Sequence, residues 1–255
     1  MPLNTMILPT VSSPVRIAMW STPRSLSTAL MRSWGNRPDT IVADEPLHAA
    51  HLSLGDWEFD GMQKTFERYE KDWQKVVAQL TGPLPKGKSI YYQKHFACHI
   101  GKQMEEDWIL ELTNCFLIRD PKEVISSYIK KWPEVSQTWL GFPKLLEIFE
   151  FVKKNTGKVP PVIDARDLQT RPKETLMRLC EKVNVPFSDT MLHWKKGIRA
   201  TDGPWTDRGW YDKVAESTTF KPYTPKPIEI PKQFESLVKE CEEVYENMRS
   251  YTNLY

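Results

Sequence analysis

The sequence predicts an α/β fold of three layers, a central parallel sheet flanked by helices, and three observations predict it. Strand-like stretches near 15–20, 40–43, 89–93, 115–118 and 161–164 alternate with helical patterns near 27–35, 62–80, 121–131, 172–184 and 231–250. That alternation joins parallel strands through helical crossovers. The run Cys115-Phe116-Leu117-Ile118 is apolar throughout, as a strand covered on both faces must be, and Asp120-Pro121 after it supplies a helix cap and a first-turn proline. Between Val15 and Leu30 an apolar strand passes through a turn of small hydroxyl residues directly into a helix. With 255 residues and no repeat or low-complexity block, the chain reads as one domain over 15–255 behind a flexible N-terminal tail, 1–14.

The first strand, turn and helix start build an anion pocket. Unpaired backbone N–H groups converge at the helix N-terminus, and the helix dipole and the Arg24 cation add to the attraction. The ligand expected there is phosphate-like; the plain alternative is a serine-rich helix cap. No glycine stands between Val15 and Trp34, so this is not a G-x-x-x-x-G-K-[ST] loop and ATP is not the expected ligand. At the end of the fourth strand, Arg119 sits on the sheet edge where open α/β folds bind ligands. It can fork two N–H bonds to a phosphate while a serine on the next helix adds a hydroxyl. An Arg–Asp surface turn is the alternative. Further on, Lys195-Lys196-Gly197 reads either as a phosphate-closing loop or as a solvated basic turn.

Pro23-Arg24-Ser25-Leu26-Ser27-Thr28 resembles the 5′-phosphosulfate loop of sulfotransferases, which use 3′-phosphoadenosine 5′-phosphosulfate (PAPS) and typically carry Pro-(Lys/Arg)-Ser-Gly-(Ser/Thr)-Thr. Leu26 stands in place of the glycine, a variant similar to one bacterial branch. Sulfotransferases bind the 3′-phosphate of PAPS with an Arg and a Ser eight positions later, and Arg119 and Ser127 resemble that pair. Trp194 to Trp205 resembles the family's late basic loop and the Gly/Asp/Trp lid after it. The resemblance implies a P-loop NTPase-like architecture, PAPS as co-substrate with adenosine 3′,5′-bisphosphate (PAP) as product, and transfer of a sulfuryl group to a hydroxyl or amine of a small-molecule acceptor, such as a specialised metabolite. It assigns Arg24, Ser25, Leu26, Ser27, Thr28, Arg119, Ser127, Lys195, Lys196 and Gly197 to the donor, with Arg24 also on the leaving oxygen.

The resemblance offers two candidates for the base. Glu45, in Val42-Ala43-Asp44-Glu45-Pro46-Leu47-His48, follows the second strand, where several branches place a catalytic glutamate; His95 ends the third strand beside Lys94, where the cytosolic branch places a catalytic histidine. Burial would have to raise the glutamate's pKa, whereas a histidine titrates near neutrality unaided. As alternatives, Glu45 reads as a helix-start carboxylate and His95 as a hydrogen-bonded core imidazole. His48, Lys94, Asp56 and Trp57 are expected on the acceptor side. The acidic, aromatic stretch Gly55–Gly61 suits a cationic acceptor, or else is a solvated turn with Asp60 capping a helix that starts near Met62. His48-x-x-His51 and His95-x-x-x-His99, with Asp44 nearby, can be drawn as a metal site, but such spacing arises often by chance and sulfotransferase chemistry requires no metal, so none is expected. A P-loop kinase, with Asp120 on magnesium, and a non-catalytic nucleotide-binding module are the rival readings.

Thirty-five basic and 33 acidic residues leave a net charge of +2, which gives no broad field for nucleic acid. No apolar run reaches membrane-spanning length. Cysteines 98, 115, 180 and 241 are scattered, the pattern of reduced thiols in a cytoplasmic protein. Homo-oligomerisation is left open by the sequence. Prolines and aromatics crowd 132–161 and 200–231, including Trp132, Trp139, Phe142, Trp205, Trp210 and Tyr211, and both stretches are expected to form lids and covering loops.

Overall fold

β1 (Val15–Ser21) is the centre of a parallel sheet because its residues from Ile17 onward are buried on both faces. The computed structural model describes residues 13–55 and 61–252, so Asp56, Trp57 and all but Ser13 and Pro14 of the expected tail lie outside the described residues. In chain order the further elements are α1 (Ser27–Gly35), β2 (Thr40–Asp44), α2 (His48–Ser53), α3 (Met62–Arg68), α4 (Trp73–Thr81), β3 (Ile90–Phe96), β4 (Thr113–Ile118) and α5 (Pro121–Tyr128). After these come α6 (Gln137–Leu140), α7 (Phe142–Thr156), β5 (Val162–Asp164), α8 (Ala165–Thr170), α9 (Pro172–Lys182), α10 (Asp212–Ala215) and α11 (Glu235–Arg249). The strand order is β2-β3-β1-β4-β5, and every pairing is parallel.

Alternate strand residues feed two cores, which makes the fold three-layered. Ile17 and Met19 of β1, with Cys115 and Leu117 of β4, pack against Leu30 and Trp34 of α1 and Leu176 and Leu179 of α9. Ala18, Trp20, Phe116 and Ile118 face the opposite layer, where Ile125 of α5, Phe149 of α7 and Val238 of α11 cover them. The α/β architecture with a parallel central sheet is therefore as expected.

Two expectations need correction. The helix expected over 62–80 is two helices, because Asp72 interrupts it and caps α4, its carboxylate accepting the N–H groups of Gln74 and Lys75. Residues 132–161 are not mainly covering loop: α6 and the 15-residue α7 together occupy most of them, with Phe142, Leu145, Phe149 and Val152 buried along one face of α7. Gly141 enters α7 at φ +73°, and a β-carbon there would stand 2.7 Å from the backbone nitrogen of Cys98, so the chain needs glycine at this turn. Within 200–231, Gly203, Trp205 and Tyr211 lie over Asp44 and Glu45 at the end of β2, and short turns and α10 fall in the same stretch. All four cysteines are free thiols, and among the described residues no helix is long and apolar enough to cross a membrane.

Candidate active site

At the carboxyl end of β1 the chain turns through two residues in the left-handed region, Arg24 at φ +65° and Leu26 at φ +66°. Leu26 is the cap position of α1, so a leucine adopts the conformation that glycine would adopt freely. No acidic residue stands in the first turn of α1, which leaves the positive end of its dipole uncompensated from within the helix. Thr22 and Ser25 share a hydroxyl hydrogen bond of 2.6 Å inside the loop.

Three expected donor residues meet there. Arg24 donates through Nε to Ser127 Oγ at 3.0 Å, and Arg119 donates through Nη1 to the Arg24 carbonyl oxygen at 2.7 Å. Glu123, one turn along α5, accepts from Arg119 Nε at 2.8 Å and orients it. The Arg24 guanidinium also lies over the Trp210 ring, 5.3 Å from its centroid. Burial, with Arg119 adding, lowers the pKa of Arg24. Two guanidinium groups, a serine hydroxyl and a helix N-terminus thus converge, a donor set suited to phosphate oxygens. Lys195, Lys196 and Gly197 instead form an exposed turn, with Gly197 at φ +107° and its N–H tied to the Ala215 carbonyl at 2.8 Å.

Beside this cradle lies a buried cluster of carboxylates around one ammonium. Asp44 ends β2 in register with Lys94 of β3. Glu45 follows at φ +51°, its N–H bonded to the Lys94 carbonyl. Lys94 Nζ donates to Glu45 Oε1 at 2.6 Å and to Asp44 Oδ1 at 2.7 Å, and all three side chains are at most 1% exposed. The covering segment supplies the remaining donors. Trp205 Nε1 reaches Glu45 Oε2 at 2.6 Å, while Tyr211 Oη at 2.5 Å and the Gly203 N–H at 2.8 Å both donate to Asp44 Oδ2. Burial pushes the Glu45 carboxyl up to about 7 against the opposing pull of Lys94, with Asp44 adding to the rise. Burial alone would lower the pKa of Lys94, but Asp44 and Glu45 outweigh it and leave that pKa raised. Glu45 thereby has the properties of a base poised near neutrality.

Sequence reasoning did not assign site roles to Trp205, Tyr211 and Asp44. The segment bearing the first two is anchored next to Gly203, where Asp202 accepts from buried Arg32 of α1 at 2.5 Å and from the Arg199 N–H at 2.8 Å. The Gly203-Pro204-Trp205 run, read from sequence only as part of a lid, is the signal for them; in the structure a β-carbon on Gly203 would stand 3.2 Å from Asp44 Oδ2.

His95 does not join the cluster. It stacks on Trp20 at 4.5 Å, its Nε2 lies 3.2 Å from Gln93 Oε1, and burial pushes its pKa down to about 3. Neighbouring strand residues point to opposite faces, so with Lys94 in the site His95 belongs to the core. The histidine pairs drawn from sequence do not form as drawn either. His48 Nδ1 lies 3.3 Å from His99 Nε2, and Glu45, His48 and His99 each offer one ligand atom, all within 4.8 Å of one another. This set has the spacing to hold a cation, but both Glu45 oxygens already accept hydrogen bonds, one of them from an ammonium that opposes a second positive charge. Burial, then His51 and the nearby cations, lowers the His48 pKa to about 3, so the imidazole facing Glu45 is neutral.

A family model described as a sulfotransferase domain matches residues 15–252. Two Arabidopsis thaliana proteins, named branched-chain-amino-acid aminotransferase-like proteins 2 and 1, are 34% identical over 240 residues and 33% identical over 245. The matches cover 92% and 94% of this chain but 41% and 43% of those proteins, so the chain spans about two-fifths the length of the curated relatives it matches. Among solved structures, a sulfotransferase from Alicyclobacillus acidocaldarius aligns with a TM-score of 0.52 and 14% identity, covering 95% of this chain and 96% of the other. A sulfotransferase domain from the curacin biosynthetic pathway aligns at 0.51 and 17%, covering 93% and 98%.

Proposed function

This chain belongs to the sulfotransferase domain family, and on that premise we propose that it moves a sulfuryl group from PAPS to a hydroxyl or amine of a small-molecule acceptor and releases PAP. The observation that carries the reading is the convergence of Arg24, Arg119 and Ser127 at the carboxyl edge of the sheet, beside a buried carboxylate suited to take a proton. The same reading takes the architecture as P-loop NTPase-like and of bacterial sulfotransferase type, the acceptor as a specialised metabolite and the cytoplasm as the place of action.

Arg119 and Ser127 bind the 3′-phosphate, and the exposed turn bearing Lys195, Lys196 and Gly197 is the candidate to close over it through its two lysines, the Gly197 N–H being held by the Ala215 carbonyl. The backbone of Ser25 and Leu26, the hydroxyls of Ser27 and Thr28 and the N-terminus of α1 hold the 5′-phosphate. Arg24 follows charge onto the bridging oxygen as the sulfur–oxygen bond breaks, which is where a cation lowers the barrier. Glu45 takes the acceptor proton. Lys94 holds Glu45 and Asp44 in place, and His48 lines the acceptor side. His95 is left out of the chemistry. The acidic stretch bearing Asp56 and Trp57 remains the candidate contact for a cationic acceptor.

The test is a thermal-shift comparison of PAP with ATP, ADP and AMP, followed by a sulfuryl-transfer assay with PAPS. A ligand at 100 times its dissociation constant contributes about 2.7 kcal/mol, a shift of roughly 5–10 °C for a chain of this size. PAP should give that shift and the mononucleotide should not. Equal stabilisation by ATP together with magnesium-dependent ATP turnover would replace this reading with the kinase one.

A further inference from the structure

Glu45 has two oxygens, and they are held from different sides. Oε1 accepts from Lys94, a β3 side chain fixed in the interior, whereas Oε2 accepts from Trp205, carried by the covering segment. An acceptor hydroxyl that gives its proton to Glu45 must first donate a hydrogen bond to one of these oxygens. Displacing Lys94 would strand two buried carboxylates, so the replaceable donor is the indole N–H. Its 2.6 Å contact is a stand-in for the acceptor's own.

Water is the competing acceptor. A base of this kind beside an activated sulfuryl group would accept water's proton as readily as a hydroxyl's. The water oxygen would then bond to sulfur, the bridging sulfur–oxygen bond would break with its electron pair leaving on the 5′-phosphate of PAP, and Glu45 would hold the proton. The products would be sulfate and PAP. In the structure this path is shut: Glu45 is 3% exposed, and Gly203, Trp205 and Tyr211 of one segment all donate to the adjacent carboxylates 44 and 45. The Trp205 ring is itself wedged between His48, at 4.6 Å between centroids, and Trp210, at 6.0 Å.

We infer that Trp205 is a positioning residue that occupies the base's outer oxygen until an acceptor displaces it, and so keeps PAPS from being spent on water. The inference rests on the sulfuryl-transfer reading above, and its test separates the two.

Trp205→Phe keeps an aromatic ring and removes the N–H. Acceptor-independent release of PAP and sulfate from PAPS is measured alongside sulfuryl transfer, with PAP binding followed by thermal shift. Loss of a hydrogen bond to a charged group corresponds to about tenfold or more, and acceptor-independent hydrolysis relative to transfer should rise by that factor while PAP binding is unchanged. Adding Glu45→Gln to Trp205→Phe should abolish the rise, and Trp205→His, which keeps an N–H donor, should restore part of the coupling. If Trp205→Phe does not fold, Tyr211→Phe loosens the same segment from Asp44 and Lys94 while keeping the Trp205 indole, and should shift the ratio in the same direction. Unchanged hydrolysis in a variant that still binds PAP overturns the gating role and leaves the transfer reading standing. Failure of the unmodified protein to bind PAP or turn over PAPS removes both.

Discussion

Lys94→Met tests the electrostatics of the site most directly, because the ammonium is the cation that both buried carboxylates share. In its absence Asp44 and Glu45, each with a side chain 1% exposed, keep only neutral donors: the Trp205 indole, the Tyr211 hydroxyl and the Gly203 amide. Removing one partner of a buried ion pair costs about 3–5 kcal/mol, and in a chain of this size each kcal/mol moves the melting temperature by about 2–4 °C. The expected fall near pH 7 is therefore roughly 6–20 °C. Its pH dependence has a definite sign. A carboxyl whose pKa is raised by folding is bound by a proton in the folded chain that the unfolded chain has already released, so its contribution is largest in acid and is lost as pH rises. For Glu45 in the unmodified protein the window runs from its ordinary 4.5 up to about 7. The raised pKa of Lys94 acts at the other end, its contribution present below the ordinary 10.5 and lost above it. Acidification protonates the stranded Glu45, whose burial already holds its pKa up, so the gap between variant and parent should narrow at about pH 5 relative to about pH 7.5. Calorimetric melts of both proteins at the two pH values measure it. Equal melting temperatures near neutrality, or a gap that stays constant or widens in acid, would refute the account of a shared buried cation.

Arg119→Ala should weaken PAP binding by about 10–150-fold, the equivalent of a charge-assisted hydrogen bond, and leave 5′-AMP binding nearly unchanged; calorimetric titration of both ligands checks it, and equal losses contradict the 3′-phosphate role. Glu45→Gln should lower kcat about 10²–10⁴-fold with PAP binding intact, whereas His95→Gln should lower the melting temperature and spare kcat. The kcat/KM of the parent should rise with pH to a plateau above about 7, as buried Glu45 gives up its proton, and a flat profile across neutrality contradicts its role as base. Leu26→Gly should hold stability within about 1 kcal/mol, because relief at φ +66° offsets the lost side chain, while Leu26→Val, stiff at its branched β-carbon, should be the more destabilising in urea melts. Sulfuryl transfer should survive exhaustive EDTA treatment; loss of activity restored by added zinc would instead assign a metal to Glu45, His48 and His99.

The anion cradle was legible because its parts are local. The hydroxyl turn after β1 and the Arg-Asp-Pro start of α5 each announce a strand end followed by a helix cap, and the parallel sheet brings those ends together. The base pocket was half legible. Glu45 and Lys94 stand at strand ends, but which of Lys94 and His95 faces the site depends on the face of β3, and that is fixed by packing: Trp20 stacks on His95 and so draws it into the core. Trp205 lies 160 positions from the carboxylate it serves, and although its Gly203-Pro204-Trp205 context marks a covering segment, nothing local shows that the indole reaches Glu45. α7 was hidden for a different reason. Its buried face begins at Phe142, three residues after Trp139 and next to exposed Pro143, so aromatics and a proline obscured the helical period that Leu145, Phe149 and Val152 complete.

The strand order β2-β3-β1-β4-β5 also governs how the molecule comes into being. β1 has no sequential neighbour at its side: its partners begin at Ile90 and Thr113, so the centre of the sheet forms through long-range parallel pairing, the slow kind. The anion cradle requires β4 and α5 to have docked, and the base pocket requires β2 to have met β3. The segment ending at Tyr211 closes over both. A chain emerging from the ribosome therefore has no anion cradle until Ser127 has been made, about halfway along its 255 residues, and no covered base pocket until Tyr211 has followed. A ligand that binds only the assembled cradle would act by mass action on the finished molecule and stabilise it against unfolding.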